Sequence, residues 1–332
     1  MDIVTHALLG AITAQAINKQ PRQLVPIVAG ALAALMPDID VFIRSASDEL
    51  LTLSYHRHFT HSLFFAPFGA LLATMLLAPL LRKRIELKKI YIFSFVGYTS
   101  ACLLDACTSY GTYLFWPIYS RPVSMNIIAV VDLAFSFTLI TALILAYYYS
   151  NRKWAIAGLL VCGGYLCLGL LQYQRALNLA EQHAHLRDII PQRIIIKPTM
   201  SNLILWRAII IDDNNLAYVN AVRPGIFNDD RFYSGKSIVL IDPTKWQNLP
   251  ANSRAWQDLQ RYYLLADKLL VEHPEHPHFI GDARYAMLPT SVKPIWGISL
   301  NPQDPHLKAS ITVDRTLTDT ERKEFLNMLL GK

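Results

Sequence analysis

Three histidines and an arginine lie close together in residues 55–62, YHRHFTHS, directly ahead of a long apolar run. A neutral imidazole nitrogen is the commonest protein ligand for zinc and similar metals, and neighbouring imidazoles can share one ion. The spacing therefore predicts a metal site at a membrane surface. The alternative interpretation is an interfacial loop whose histidine and arginine side chains face lipid headgroups.

Carboxylates and one further histidine occur at the ends of other apolar segments. These residues are His6, Asp38, Asp40, Asp105 and Asp132. Antiparallel packing of two short apolar helices, at residues 2–18 and 25–36, would bring His6 beside Asp38 and Asp40. Ionisable groups in apolar segments are costly, so they usually pair with one another, with water or with an ion. Together with the histidine cluster, this set indicates a metal or proton site.

The composition is that of a protein partly embedded in a membrane. Of the 332 residues, 53% are hydrophobic, and the mean hydropathy is +0.27, which is too apolar for an ordinary soluble enzyme. Only eight of the 25 acidic residues lie in residues 1–174. We therefore expect a helical membrane domain at residues 1–174 and a soluble α+β domain at residues 175–332. The net charge of +6 arises mainly from short basic loops, so no nucleic-acid partner is expected.

Four apolar runs are long enough to predict full transmembrane spans, at residues 63–81, 90–106, 127–149 and 154–171. Each helix of the N-terminal hairpin is shorter than about 20 residues, so the sequence leaves open whether the hairpin spans or re-enters the membrane. Basic residues cluster at 82–89 and 152–153, and the positive-inside rule makes these loops cytoplasmic. The histidine cluster and the C-terminal domain are then expected on the outer face.

The C-terminal half is dominated by β-branched runs that are broken by Asn, Asp, Gly and Pro, which predicts a mostly antiparallel sheet. The predicted strands lie at residues 192–197, 203–211, 216–222, 237–241, 295–300 and 309–313, and the predicted helices at 253–272 and 318–330. The run HPEHPH at residues 273–278 contains two prolines and has no Cys or Asp at ligand spacing. It is therefore interpreted as a solvated loop.

Several motifs of residues 1–175 resemble those of the YdjM-like family of inner-membrane, metal-dependent hydrolases. The matching residues are Thr5-His6 with Gly10, Pro37-Asp38-Ile39-Asp40, His56-Arg57 with Thr60-His61-Ser62, and Asp105 with Thr108, Gly111 and Pro117. The resemblance implies a multi-pass protein of the bacterial inner membrane with a divalent-metal site. A distant similarity of this constellation to zinc-dependent phospholipases implies phosphoester substrates.

Carried over to this sequence, the family motifs give a set of expected metal ligands. These are His6, Asp38, His56, His61 and Asp105, and Asp40 matches a second carboxylate of the family. Position 58 departs from the family pattern, because His58 stands where the family usually has glycine. His58 therefore adds a candidate ligand or acid.

The expected chemistry follows from these residue types. A zinc-type ion held by His and Asp lowers the pKa of a water molecule toward about 7 and polarises a phosphoryl or acyl oxygen. Asp40 or Asp132 is a candidate base, or else orients a ligating histidine. Arg57 is suited to bind a phosphate oxygen, and His58 to protonate a leaving group. The number of ligands permits one or two ions, zinc or alternatively manganese.

Two functions of different classes remain open. The first is a membrane-bound metal-dependent hydrolase that cleaves a phospholipid or lipid-linked phosphoester at the outer face, with membrane lipids as its partners. The second is an ion- or proton-coupled transporter that uses the same histidines and aspartates. The clustering of ionisable groups at one surface and the lack of an internal repeat favour the hydrolase. A third hypothesis, a membrane-anchored binding module, would place the function in the C-terminal domain.

Overall fold

The computed structural model describes residues 1–20, 22–225, 229–244, 249–301 and 303–332. These residues form two compact units. The first unit comprises Met1–Ile43, Tyr55–Leu171 and Met200–Leu203, and the second comprises Arg44–Ser54, Gln172–Thr199 and Ile204–Lys332. A segment from the N-terminal half, Arg44–Ser54, therefore belongs to the second unit.

The described helices are α1 (Ile3–Ile17), α2 (Leu24–Leu35), α3 (Leu50–Tyr55), α4 (Ala66–Leu81), α5 (Leu87–Cys107), α6 (Leu133–Tyr148), α7 (Lys153–Leu186), α8 (Arg254–Leu265) and α9 (Asp319–Leu330). Two short 3-10 helices, Pro37–Phe42 and Phe59–His61, connect some of them. Asp2 caps α1, because its side chain accepts hydrogen bonds from Val4 N and Thr5 N. Pro37 begins the first 3-10 helix, where its missing N–H costs no hydrogen bond.

The backbones of α1, α2 and α5 approach one another at three glycines. A Cβ atom added to Gly10 would lie 2.3 Å from the carbonyl oxygen of Gly30, and one added to Gly97 would lie 2.4 Å from the same oxygen. Side chains are therefore excluded at these crossings, as in other close helix contacts of membrane proteins. His6 lies one turn before Gly10, and Asp105 lies about two turns after Gly97. The close crossings therefore set the distance between these two residues.

The prediction of four full spans is wrong. Among the described residues, two helices are long and apolar enough to cross a membrane, Leu87–Cys107 and Lys153–Leu186. A third span is counted only if Leu50–His61 and Ala66–Leu81 are taken together, and this pair is bent by 92°. The helices α1 and α2 are short and apolar, with 15 and 12 residues, as the sequence predicted.

Side-chain hydrogen bonds ahead of two helices explain why two predicted spans are too short. In the run 63–81 the helix begins only at Ala66, because Ser62 Oγ accepts a hydrogen bond from Phe65 N at 3.1 Å and holds a turn there. In the run 127–149 the helix begins only at Leu133, because the Asp132 carboxylate accepts from Phe135 N at 3.0 Å and caps it. Each resulting helix has 16 residues.

The second unit contains two four-stranded antiparallel sheets, ordered β1-β2-β3-β4 and β5-β6-β7-β8. Their strands are β1 (Arg193–Pro198), β2 (Trp206–Ile211), β3 (Leu216–Arg223), β4 (Arg231–Val239), β5 (Leu270–Glu272), β6 (Phe279–Asp282), β7 (Trp296–Ser299) and β8 (Ser310–Val313). The helical N-terminal part and antiparallel β C-terminal part match the predicted fold class. The helix predicted at 253–272 ends earlier, at Leu265, and its last residues form β5 instead.

Candidate metal centre

Four elements of the first unit bring the predicted ligands together. His6 comes from α1, Asp38 from the first 3-10 helix, His61 from the second 3-10 helix and Asp105 from the last turn of α5. His6, His61 and Asp105 are fully buried, whereas the side chain of Asp38 is 21% exposed. The site is therefore enclosed, with one carboxylate partly accessible.

The imidazole nitrogens and carboxylate oxygens of these four residues lie close together. His6 Nδ1 is 3.3 Å from Asp38 Oδ2, and His6 Nε2 is 3.2 Å from Asp105 Oδ1. His61 Nε2 is 3.3 Å from Asp38 Oδ1 and 3.2 Å from Asp105 Oδ2. Each histidine thus contacts both carboxylates. The structure brings together four of the five residues that the sequence predicted as ligands.

The tautomer of His61 follows from its neighbour Thr60. The Thr60 hydroxyl donates its proton to Asp40 Oδ2 at 2.8 Å, so its oxygen can only accept from His61 Nδ1, 3.1 Å away. In a neutral His61 ring, Nδ1 then carries the proton and Nε2 presents a lone pair. This lone pair faces the oxygens of Asp38 and Asp105. The sequence pattern of residues 55–62 did not reveal this role of Thr60.

The tautomer of His6 follows from Asp105. His6 Nε2 has hydrogen-bond geometry to Asp105 Oδ1, and an ionised carboxylate only accepts, so Nε2 is the donor. Nδ1 of a neutral ring then presents a lone pair toward Asp38. Three buried atoms of the centre have no hydrogen-bond partner among the residues that the structure describes: His6 Nδ1, His61 Nε2 and Asp105 Oδ2.

In a buried site, a nitrogen lone pair and the carboxylate oxygen that it faces repel each other unless a cation or a proton lies between them. Candidate ligand atoms of His6, Asp38 and Asp105 all lie within 4.8 Å of one another. Nitrogen and carboxylate donors at this separation fit a divalent transition metal. The ligand types and their separations therefore fit the divalent metal that the sequence predicted.

Asp40 lies beside the centre and orients its histidines. Asp40 Oδ1 accepts from His56 Nδ1 at 2.8 Å, and Asp40 Oδ2 accepts from Arg57 N and from the Thr60 hydroxyl, both at 2.8 Å. Burial alone would raise the pKa of the Asp40 carboxyl, but hydrogen bonds from His56 and His61 hold this pKa well below its usual value. A carboxylate that fixes histidine orientation is typical of metal sites.

His56 is the fifth predicted ligand, and the structure places it against Asp40. Because His56 Nδ1 donates to Asp40 Oδ1, Nε2 of the neutral ring presents the lone pair. Its side chain is 26% exposed, and its ring centroid lies 6.1 Å from that of His61. His56 therefore borders the four-residue group.

The guanidinium of Arg57 is occupied within the site. It contacts Asp105 Oδ1 at 3.0 Å, donates to Thr108 Oγ1 at 2.9 Å, and lies 5.1 Å from the centroid of the Tyr110 ring. The amine of Met1 also contacts Asp105. Arg57 carries the left-handed backbone conformation of this loop, with φ of 60°. The geometry makes Arg57 a buried counter-charge for Asp105, and its predicted role toward phosphate stays a prediction.

Two predicted catalytic residues have other surroundings. The His58 ring packs against Tyr113 and Trp116, with ring centroids 4.4 and 5.6 Å apart. The Asp132 carboxylate caps α6 and accepts from the Tyr165 hydroxyl at 2.8 Å. These contacts give Asp132 a structural role at the start of α6. The acid and base functions predicted for the two residues stay predictions.

A second group of candidate ligands occurs in the second unit: His273, His276 and Asp314. The interpretation of this run as a solvated loop is wrong for His273, which is buried and lies 3.3 Å from Asp314 Oδ2. However, His273 Nδ1 accepts from Glu275 N and His276 N, both at 3.1 Å. In a neutral ring Nε2 then carries the proton and has no lone pair for a metal. This group is therefore a hydrogen-bonded loop anchor.

The family model for the YdjM inner membrane protein matches residues 1–176, which is more than half of the chain. The chain belongs to the YdjM inner membrane protein family. The inner-membrane location expected from the sequence follows from this membership, and the apolar helices agree with it. Every residue of the candidate metal centre lies within the YdjM match. No curated protein and no solved structure matches the chain.

Proposed function

We propose that this YdjM family member is a membrane-bound, metal-dependent hydrolase. The observation that carries the proposal is the buried group of His6, Asp38, His61 and Asp105, in which His6 Nδ1 and His61 Nε2 lie 3.2–3.3 Å from carboxylate oxygens. We assign His6, Asp38, His61 and Asp105 as the residues that would hold a divalent ion, zinc by preference and manganese as an alternative. A measurement of metal content will distinguish one bound ion from two.

A divalent ion in this centre would supply Lewis acidity toward a water molecule and a phosphoryl or acyl oxygen. The protein's own residues supply orientation and proton transfer. Asp40 holds His56 and the backbone of Arg57 through its two carboxylate oxygens. His56 Nε2 presents a lone pair on a partly exposed ring, so we assign it the acceptance of a proton from the attacking water. His58 and Asp132 are less suited to this step, because aromatic rings surround the first and a helix cap uses the second.

The proposed substrate is an amphiphilic phosphoester, a phospholipid or another lipid-linked phosphate. Two features support this class. The centre belongs to an inner-membrane protein, and two side chains, Asp38 within the centre and His56 at its border, are partly exposed. The basic residues at 82–89 favour an outer-face position for the centre and an extracytoplasmic position for the C-terminal unit. In this proposal membrane lipids are the partners, and no nucleic acid takes part.

The hydrolase proposal is tested with purified protein in lipid nanodiscs and a panel of phospholipid and lipid-linked phosphoester substrates. The expected result is release of a phosphorylated or dephosphorylated product by metal-loaded wild type. Chelation should abolish this release, and added zinc or manganese should restore it. His61→Ala should be inactive, whereas Thr138→Val, an exposed change on α6, should keep full activity. If metal-loaded, folded wild type hydrolyses no substrate of the panel, the proposal is wrong.

The second candidate function, ion- or proton-coupled transport, is favoured by one specific observation. Additional protons on His6 and His61 would also satisfy the facing carboxylates, and hydrogen bonds link His61 through Thr60 and Asp40 to the partly exposed His56. A metal-free protein that moves protons or cations across vesicles, and loses this transport in His61→Ala, would support this function in place of hydrolysis.

A further inference from the structure

One face of α5 carries a buried tyrosine two helical turns before a residue of the metal centre. Tyr98 and Asp105 are seven residues apart on this helix, so their side chains lie on the same face, about 10 Å apart along the axis. Tyr98 is 1% exposed and Asp105 is fully buried. The helix that supplies Asp105 therefore also presents a phenol hydroxyl to the interior of the first unit.

The Tyr98 hydroxyl donates a hydrogen bond to the backbone carbonyl of Thr60. Thr60 is the middle residue of the second 3-10 helix, whose last residue is His61. The side chain of Thr60 contacts two further members of the site, because its hydroxyl donates to Asp40 and accepts from His61 Nδ1. Tyr98 thus holds the short helix that carries His61 through the backbone of its central residue.

Close packing keeps the Tyr98 ring in place. A Cβ atom added to Gly69, on α4, would lie 2.3 Å from Tyr98 Cε2 and 2.7 Å from the hydroxyl oxygen, so the ring lies directly against the α4 backbone. Ala70, Cys102 and Leu114 belong to the same buried cluster as Tyr98. A ring packed this closely has little freedom to move, so its hydroxyl stays beside the Thr60 carbonyl.

The second 3-10 helix needs such an anchor because it is only three residues long. A 3-10 turn has poorer hydrogen-bond geometry than an α-helix and is held less firmly by its own backbone. Nevertheless, His61 Nε2 lies 3.2 Å from Asp105 Oδ2. Since α5 carries both Asp105 and the anchor of the His61 helix, it sets this separation.

We infer that Tyr98 is a positioning residue for the metal centre: its hydroxyl fixes the second 3-10 helix on α5 and thereby keeps His61 Nε2 beside Asp105. The inference rests on the proposed metal-dependent function. Loss of an orienting partner at a metal site typically lowers metal affinity by about 10- to 100-fold. Because Tyr98 contacts the residue next to His61 and not His61 itself, we expect the lower end of this range, about 10-fold.

The test uses the full-length chain in detergent and compares wild type, Tyr98→Phe and Tyr91→Phe. Phenylalanine keeps the ring against Gly69 and removes only the hydroxyl. Tyr91 is a matched control, because it lies on α5 seven residues before Tyr98 and its hydroxyl also donates to a backbone carbonyl, that of Pro67, at 3.4 Å. Pro67 belongs to α4, which carries no residue of the metal centre.

The readouts are the zinc Kd, measured by competition with a chromophoric chelator, the visible absorption spectrum of the cobalt-loaded protein, and the unfolding temperature. Tyr98→Phe should raise the zinc Kd by about 10-fold and alter the cobalt spectrum, and Tyr91→Phe should do neither. A purely structural role of Tyr98 would lower the unfolding temperature but leave the cobalt spectrum and the Kd unchanged.

Gly69→Ala serves as a second variant if Tyr98→Phe does not fold. Its new methyl group would displace the Tyr98 ring while the hydroxyl stays present, so zinc binding should weaken and the cobalt spectrum should change. Gly163→Ala is the control for this variant, since no described atom lies within 4 Å of its added Cβ.

Two results would overturn the inference, and they are distinguishable. If wild type binds zinc and Tyr98→Phe or Gly69→Ala binds it equally, with the same cobalt spectrum, the positioning role is wrong and the proposed function stands. If wild type binds neither zinc nor cobalt, the proposed function is wrong, and the inference is wrong with it.

Discussion

His61 Nε2 lies 3.3 Å from Asp38 Oδ1 and presents a lone pair to it, because Nδ1 of the same ring donates to the Thr60 hydroxyl. The Thr60 hydroxyl is committed in turn, since it donates to Asp40. In a neutral His61 ring, Nδ1 therefore carries the proton and Nε2 offers an acceptor to the buried carboxylates. A bound metal ion would use this acceptor, whereas a second proton on the ring would occupy it.

Thr60→Val tests this relationship directly. Valine has the shape of threonine but offers no oxygen to His61 Nδ1, so the ring loses its partner at 3.1 Å and keeps only Asp40 Oδ2, which lies 3.3 Å from Nδ1. We expect the zinc Kd to rise by about 10-fold or more. Thr138→Val is the control, because the Thr138 hydroxyl donates only to the Ala134 carbonyl on the exposed face of α6. Equal zinc affinities in the two variants would contradict an orienting role of Thr60 toward His61.

Asp40→Asn tests the orienting role of Asp40. An amide has one acceptor oxygen in place of two, so its NH2 group must face a donor, either His56 Nδ1–H or the N–H of Arg57. We expect zinc affinity to fall by about 10- to 100-fold. Asp282→Asn provides a control at another fully buried aspartate, which pairs with Arg284 in the second unit. That variant should lose stability and keep the zinc affinity of wild type.

The glycine crossings of α1, α2 and α5 should be intolerant of even one methyl group. In Gly97→Ala the new Cβ would lie 2.4 Å from the Gly30 carbonyl oxygen, so α5 must shift away from α2. We expect a loss of about 1–3 kcal/mol in the free energy of unfolding and weaker zinc binding, because Asp105 moves with α5. Gly163→Ala is the matched control, since no described atom lies within 4 Å of its added Cβ. Similar unfolding temperatures for both variants would show that α5 is not held by this contact.

The second histidine group should not bind metal. Asp314 Oδ2 accepts from a protonated His273 Nε2 in our assignment, so Asp314→Asn removes a loop anchor and costs about 1 kcal/mol of stability. The metal content of the purified protein should stay unchanged in Asp314→Asn and in His273→Ala. Loss of a bound ion from either variant would overturn the tautomer assigned to His273.

Which residues lie together in the centre could be predicted from the sequence, because histidine and aspartate are uncommon in apolar segments. His6, Asp38, His61 and Asp105 each interrupt or end an apolar run, where an ionisable group needs a partner. Their mutual contacts depend on helix packing at Gly10 and Gly97, which the sequence pattern does not specify. The hydrogen bonds that fix the tautomers depend on side-chain geometry as well, and this is why the role of Thr60 was missed.

The number of spans could not be predicted from apolar length. Hydropathy counts residues 63–65 and 127–132 with the helices that follow. However, a turn held by Ser62 precedes the first of these helices, and Asp132 caps the second, so the counted residues lie outside both. The burial of His273 could not be predicted from the sequence either. His273 directly follows β5 and its partner Asp314 directly follows β8, and no regular spacing links the two residues. The strands β1, β2, β3, β7 and β8 lie near their predicted positions, since β-branched runs bounded by turn residues mark them locally, whereas β5 was predicted as helix and β6 was not predicted.

The most direct test of the central claim is the metal content of purified wild type, measured by elemental analysis beside His61→Ala, Asp105→Asn and the Thr138→Val control. We predict about one or two zinc or manganese ions per chain in wild type and in the control, and none in the other two variants. A folded wild type that stays metal-free after dialysis against zinc and manganese would contradict the account, and the lone pairs of His6 and His61 would then have to face protons.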